Sequence, residues 1–296
     1  AQALHPRMQA HLPRAPQLPP RSVRGIPALL PRACRPKTHC SSSPRVLPRR
    51  RWWYRHHQLA DGTRYLRWSE SFEFLISPHG RRILYHRLNG APPESLGAYL
   101  LGHVLSFSLV ALGFEPLHGT VVVLDGRAVG FLGDCGYGKS TLAAALLGRD
   151  ASVLTDDLMV LEPREGRWVV HPGMPRLKLF PSAARKLLGH HADGPKMNPG
   201  TSKLILSLRA DQVVQHPVQL EALYVLSPGR SGRTPVRIEP LSIRDSFLEI
   251  VRAAFNLTVT DRQRLSTQFA LAERLTTSVR VRRLTYPRGF SALPAV

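Results

Sequence analysis

The chain has 296 residues, enough for a substantial core, with 43% apolar residues and a formal net charge of +21. The charge is uneven: residues 1–50 hold ten Lys/Arg, ten Pro and neither Asp nor Glu, leaving 31 basic against 20 acidic residues, or +11, on 51–296. Cys34, Cys40 and Cys135 make neither a disulfide framework nor a metal-ligand spacing, which excludes the cysteine-stapled classes and fits a reducing, cytoplasmic setting.

Residues 1–50 show no hydrophobic period and read as a disordered Pro/Arg-rich leader. Their lack of acids fits a transit-type segment, and translation from upstream of a native start fits as well. Positive charge permits a nucleic-acid partner, but the aromatic residues are not interleaved with it, so an anionic cosubstrate is the simpler explanation and nucleic acid is disfavoured. Ordered sequence is expected from about Trp52, with Trp52 and Trp53 covering a core edge. Short strands at 65–68, 72–77 and 82–86, with turns at Asp61-Gly62 and His79-Gly80, predict a small antiparallel meander within 51–115.

Residues 96–114 carry no Lys, Arg, Asp or Glu. Three glycines, His103 and flanking Glu94 and Glu115 argue for a buried helix, so no membrane span is expected. Gly119–Leu124 and an Asp125-Gly126 turn predict a hairpin into the strand at 128–132. That strand leads into Gly133-Asp134-Cys135-Gly136-Tyr137-Gly138-Lys139-Ser140, followed by helix formers from Thr141 to Leu147. Strand, glycine-rich loop and helix form the context in which G-x-x-x-x-G-K-[ST] cradles a polyphosphate. Backbone N–H groups and the helix N-terminus supply positive potential, Lys139 reaches the outer phosphates, and the Ser140 hydroxyl meets Mg²⁺. The blander alternative is a glycine-rich β–α turn.

Further strands are expected at 152–161, broken by Asp156 and Asp157, and at 168–170, 177–179 and 220–226. Lys196–Lys203 reads as a mobile polar loop. Ser242 and Asp261 cap two amphipathic helices, and a strand at 279–286 closes the chain. Residues 116–296 thus read as the core that carries the glycine-rich loop and the C-terminal helices.

His118-Gly119, the loop at 133–140 and Thr155-Asp156-Asp157 follow one another at spacings that resemble the catalytic domain of the HPr kinase/phosphorylase family and its wider kinase-like relatives. The resemblance covers about 115–180 closely and the rest of 51–296 loosely. It implies an α/β P-loop fold with a mixed, barrel-like β-sheet and helices packed against it, related to the ATP-dependent carboxykinases. It further implies ATP and Mg²⁺, with Gly133, Asp134, Cys135, Gly136, Tyr137, Gly138, Lys139, Ser140 and Thr141 around the nucleotide. Carried over residue by residue, Asp156 is the catalytic base, Lys139 acts on the transferring group, Ser140 and Asp157 hold the metal, and His118 touches the acidic pair or the phosphate.

The pattern also departs from the family. Cys135 stands where serine is usual, and His171–Leu177 replaces the family's E-x-R-G-x-G segment, which removes a metal-side carboxylate and speaks against HPr as acceptor and against phosphorolysis. Arg176, Lys196 and Lys203 are basic candidates for clamping charge. The expected activity is transfer of the γ-phosphoryl group of ATP to a serine-like hydroxyl of a peptide or protein. The alternatives are a nucleotide-binding module or ATPase without acceptor, and a small-molecule or carboxykinase-like kinase. A homo-oligomer is left open.

Overall fold

The computed structural model describes residues 54–296 except 70, 89–90, 190–192, 199, 230–234 and 257–258. The expectations for the 1–50 leader and for Trp52 and Trp53 lie outside the described residues. The described chain opens with an antiparallel meander of four strands, β1 (Tyr54–Gln58), β2 (Arg64–Trp68), β3 (Phe72–Ile76) and β4 (Ile83–Arg87). Sequence patterning missed β1, whose run of two histidines between polar ends shows no apolar alternation.

Helix α1 (Pro93–Ala111) follows, interrupted by a π-helical turn at Leu100–Val104. It is long and apolar enough to cross a membrane by length and composition, and half of that stretch is buried in the structure. Tyr99, Val104 and Phe107 pack with Leu66, Phe72, Phe74 and Ile76 of the meander into one hydrophobic cluster. The helix therefore covers one face of the sheet and builds a small core of its own.

The chain continues through β5 (Leu117–His118), β6 (Thr120–Leu124), β7 (Arg127–Leu132), helix α2 (Lys139–Leu147), β8 (Ser152–Thr155), β9 (Leu158–Met159), β10 (Leu161–Arg164) and β11 (Arg167–Val170). Next come β12 (Arg176–Leu179), α3 (Pro181–Leu188), β13 (Leu204–Ser207), β14 (Val218–Gly229), β15 (Arg237–Pro240), α4 (Ile243–Ala253), α5 (Arg262–Ser278) and β16 (Arg280–Pro287). Eight of these strands form a mixed sheet whose main path runs β10-β11-β14-β7-β6-β8, with β16 on β14 and β15 on β16. The β14–β7 and β14–β16 pairs are parallel and the others antiparallel. The β12–β13 and β5–β9 pairs stand apart as two-stranded ladders, so the path is open where a barrel-like sheet was expected.

The β6–β7 connection is a two-residue turn, Asp125 at φ 48° and Gly126 at φ 71°, the left-handed pair that suits the twist of a tight hairpin. Strand alternation then sorts side chains to two faces. Val121, Val123, Ala128 and Leu132 join Ile250, Ala272 and Leu275 of α4 and α5 on one side. Val122 and Phe131 join Leu142 to Ala144 of α2 and Ala183 and Ala184 of α3 on the other. The result is a sheet between two helical layers, with the loop 133–138 rising from the end of a central strand.

Ser242 and Asp261 cap α4 and α5 as their sequence positions suggest, accepting from the Asp245 and Arg264 backbone N–H groups at 3.0 and 2.9 Å. Arg264 is buried at 5% exposure and pairs with Glu115 at 3.2 Å, also donating to the carbonyls of Phe255, Asn256 and Val259. It ties α5 to the segment between α1 and β5. Burial raises the Glu115 carboxyl above the usual range, and the guanidinium opposes that shift. Arg264→Ala should cost about 3–5 kcal/mol by urea denaturation at neutral pH, because it strands a buried carboxylate. Without its cation, Glu115 protonates at still higher pH, and protonation removes the stranded charge. The deficit should therefore narrow in mildly acidic buffer; a deficit that is constant across pH would count against the charge as its cause.

Candidate functional site

The loop between β7 and α2 is shaped by its glycines. Gly133, Gly136 and Gly138 have φ of 135°, 88° and 92°. Gly138 also faces the Tyr286 hydroxyl, which would lie 2.9 Å from a Cβ placed there, so both conformation and space call for glycine. The Tyr137 N–H closes a turn onto the Asp134 carbonyl at 3.2 Å. Gly138 ends the curl as the cap of α2, whose first residues are Lys139 and Ser140. The Lys139 side chain is buried and its Nζ donates to the Gly133 and Asp134 carbonyls at 2.6 and 3.2 Å. Burial draws its pKa down, against the pull of nearby acidic groups.

Asp156 and Asp157 sit in the break between β8 and β9, with Asp157 at a left-handed φ of 72°. That conformation is costly for a side chain bearing a Cβ, though aspartate tolerates it better than most. It separates the two carboxylates. Asp156 Oδ1 accepts from Thr120 Oγ1 of β6 at 2.7 Å and from Ser140 Oγ at 2.9 Å, while Oδ2 accepts from the Lys178 backbone N–H at 3.1 Å. Asp157 instead pairs with the Lys178 ammonium and lines the cavity beside the loop. The family resemblance gives Asp157 to the metal and Asp156 to the acceptor; in the structure Asp156 is the carboxylate that meets the loop serine. Burial, then the neighbouring Asp157 charge, raises the Asp156 carboxyl. Burial works the same way on Asp157, but Lys178, with His118 and Arg176, outweighs it and holds that carboxyl below its usual range.

The cavity has a volume of about 380 Å³ and brings together His118, Cys135, Lys139, Ser140, Thr141 and Asp157. Cys135 is an exposed free thiol on the loop. His118 stands at the start of the β5–β9 ladder, edge-on to Phe255 with ring centroids 5.3 Å apart. Burial, reinforced by the Lys139 charge, lowers its pKa to about 4, so the imidazole is neutral at neutral pH. Of the basic candidates, Lys203 lines the cavity with its Nζ 5.3 Å from the Phe180 ring centroid. Arg176 donates to the Gly97 carbonyl at 3.1 Å, and Lys196 pairs with Leu204 in an isolated bridge. Neither is among the described lining residues.

The cation in contact with the acidic pair is Lys178, which sequence reasoning passed over. Its signal was available: in Arg-Leu-Lys-Leu of β12, Leu177 and Leu179 enter the core, so Arg176 and Lys178 share the opposite face. The second wall was also missed. Tyr54 and Trp68 of the meander and Tyr99 and His103 of α1 line the same cavity. His103 lies in the π-helical turn, an irregularity that recurs at functional sites. Burial lowers its pKa to about 4.

The residues suit Mg²⁺ and a polyphosphate. Ser140 Oγ and Asp156 Oδ1 are hard oxygen donors 2.9 Å apart at the N-terminus of α2. Among the described residues no group of three or more His, Cys, Asp or Glu could hold a metal alone. Magnesium is ordinarily held by one or two carboxylates together with substrate phosphates and water, which is the chemistry such a donor set provides. Asp157 is the one acid among the described lining residues, so no glutamate there stands in for the metal-side carboxylate that the resemblance leads one to expect near 171–177.

No family model and no curated protein matches the chain. Among solved structures it is similar to the Hpr(Ser) kinase/phosphatase from Coxiella burnetii, at 15% identity, covering 58% of this chain and 85% of that one, with a TM-score of 0.31. The likeness is distant, and the chemistry below rests on the site's own geometry.

The segment after β11 packs against Leu154 and Thr155, just ahead of the acidic pair. The Gly173 N–H donates to the Leu154 carbonyl at 2.8 Å, and a Cβ at Gly173 would lie 2.1 Å from Thr155 Oγ1 and 2.8 Å from Thr155 Cβ. Gly173→Ala should therefore destabilise the fold by about 1–3 kcal/mol in urea denaturation, since Thr155 is fully packed. A neutral result would mean that this contact is looser than the structure has it.

Proposed function

We propose that this chain is an ATP-dependent kinase that moves the γ-phosphoryl group to a serine-like hydroxyl. One observation carries the reading: the loop serine and Asp156 meet at 2.9 Å while Lys139 and Asp157 face one cavity beside a curled run of backbone amides. Mg²⁺–ATP bound there supplies the phosphoryl group and partial neutralisation of its charge. Amides of 133–140 and the α2 N-terminus bind the phosphates, and Lys139 moves from the loop carbonyls to the outer ones. Ser140 and Asp156 are the residues that would hold the metal.

Asp157 faces the acceptor. It orients the hydroxyl and receives its proton as the oxygen–phosphorus bond forms and the β–γ bridging bond breaks. A carboxylate held at low pKa is a weak base, but phosphoryl transfer through a loose transition state asks mainly for alignment. Lys178 offsets charge on the transferring group and keeps Asp157 ionised. His118, neutral and packed on Phe255, positions the pair. A cytoplasmic setting and a peptide or protein acceptor belong to the same proposal. The enclosed aromatic end of the cavity favours a second reading, a small hydroxyl-bearing acceptor.

Lys139→Ala should abolish ATP binding or turnover. Asp156→Asn should reduce transfer by about a hundredfold or more. Asp157→Asn should leave Mg²⁺–ATP affinity intact and lose transfer, and unaltered transfer would return the acceptor-side role to Asp156. With γ-labelled ATP and a host extract, label on a polypeptide supports the first reading and label in a small metabolite the second. Free phosphate alone would reduce the protein to an ATPase.

A further inference from the structure

The glycine-rich loop has a second cavity on its other side, about 210 Å³ in volume. It shares Gly136, Gly138 and Thr141 with the first cavity, and its outer wall is Tyr286, Arg288 and Phe290 from the end of β16 and the turn beyond it. Tyr286 is buried, and its hydroxyl donates to the Tyr137 carbonyl at 2.5 Å, so this wall is fastened to the loop itself. The closing helical turn Phe290–Ala295 is held in turn by Arg149, which follows α2 and donates to the Pro294 carbonyl at 2.9 Å. Phe290 is 36% exposed at the cavity mouth, and among the described residues Arg288 has no carboxylate within ion-pair distance. An aromatic face and a free guanidinium side by side make a surface on which a heteroaromatic ring can stack and be hydrogen-bonded.

The direction of a bound triphosphate decides what this surface is for. In-line transfer puts the acceptor on the side of the γ-phosphorus opposite the bridging oxygen that leaves. Asp157 and Lys178 lie in the first cavity, so the γ end points there. The nucleoside leaves from the other end of the phosphate chain, and Gly136, Gly138 and Thr141 border both cavities. The second cavity opens at that end, and its size suits one bicyclic ring and no polymer. Resting on the kinase reading above, we infer that the base of a purine nucleoside triphosphate docks in this C-terminal cavity, stacked on Phe290 and hydrogen-bonded by Arg288, leaving the aromatic chamber of Tyr54, Trp68 and Tyr99 to the acceptor.

The test compares two ligands in calorimetry on the full chain with Mg²⁺: adenylyl imidodiphosphate, which carries the base, and inorganic tripolyphosphate, which does not. The wild type should bind the nucleotide more tightly. Phe290→Ala and Arg288→Ala, both at exposed positions, should each weaken the nucleotide about tenfold and leave tripolyphosphate unchanged. Parallel weakening of both ligands would make these residues supports of the loop and overturn the inference, as would no change in either. A wild type that binds tripolyphosphate as tightly as the nucleotide would also overturn it while sparing the kinase reading. Failure of the wild type to bind either ligand would sink both.

Discussion

The structure turns on the Asp156 carboxylate, which gathers three elements that are far apart in the chain. It accepts from Thr120 on β6, from Ser140 at the start of α2 and from the backbone of β12. Hydrogen bonds to a charged acceptor are stronger than neutral ones, and an unpaired carboxylate among partly buried groups would be costly, so these three partners both need it and are needed by it. Because Asp157 follows in a left-handed conformation, fixing Asp156 also fixes the opposite outlook of its neighbour, toward Lys178 and the cavity. One backbone irregularity thereby assigns a structural side and a cavity side to adjacent identical residues.

Much of the surrounding architecture holds that junction in register. β6 and β7 are joined by a tight hairpin, so Thr120 and the start of the glycine-rich loop arise from paired strands. Clusters on both faces of the sheet fix the strand ends, and the parallel β14–β16 pair brings Tyr286 beneath the loop. The meander and α1 contribute differently. Their core is separate from the two that flank the sheet, and toward the site they present an aromatic and histidine wall.

What was legible in the residues follows from locality. Strand, loop and helix at 128–147, the Asp-Gly hairpin, the Ser242 and Asp261 caps and the closing strand depend on short-range patterns, and each of those elements is present. The conformation that separates Asp156 from Asp157 depends on a φ angle that no residue pattern announces, since aspartate is common in turns of many kinds. Lys178 was hidden by its company: a single lysine among leucines reads as a strand with one solvated side chain. Only the fold shows that its solvent side faces an enclosed acid. The aromatic wall was illegible for a third reason. Its residues, from Tyr54 to His103, lie well before Asp157 in the chain and belong to the separate meander–α1 unit, and no periodicity links them to the site.

Charge explains why these parts belong together. Lys139, Lys178 and Lys203 line the cavity against Asp157, with Asp156 just behind. Three cations against two carboxylates leave a small positive excess, and the two neighbouring histidines, kept neutral by burial, do not add to it. A triphosphate carries several negative charges, more than this excess can offset in a partly desolvated space. On the proposed kinase reading, the surplus would fall to the amides of the loop, the α2 N-terminus and a divalent cation beside Ser140 and Asp156, and removing any one of these would raise the demand on the other two. Lys178 is the cation that cannot be reassigned. Its ammonium is already engaged with Asp157, so on the proposed reading it would serve the transferring group only by staying where it also keeps the acceptor-side carboxylate ionised. On that reading, acceptor alignment and charge stabilisation would be functions of one ion pair.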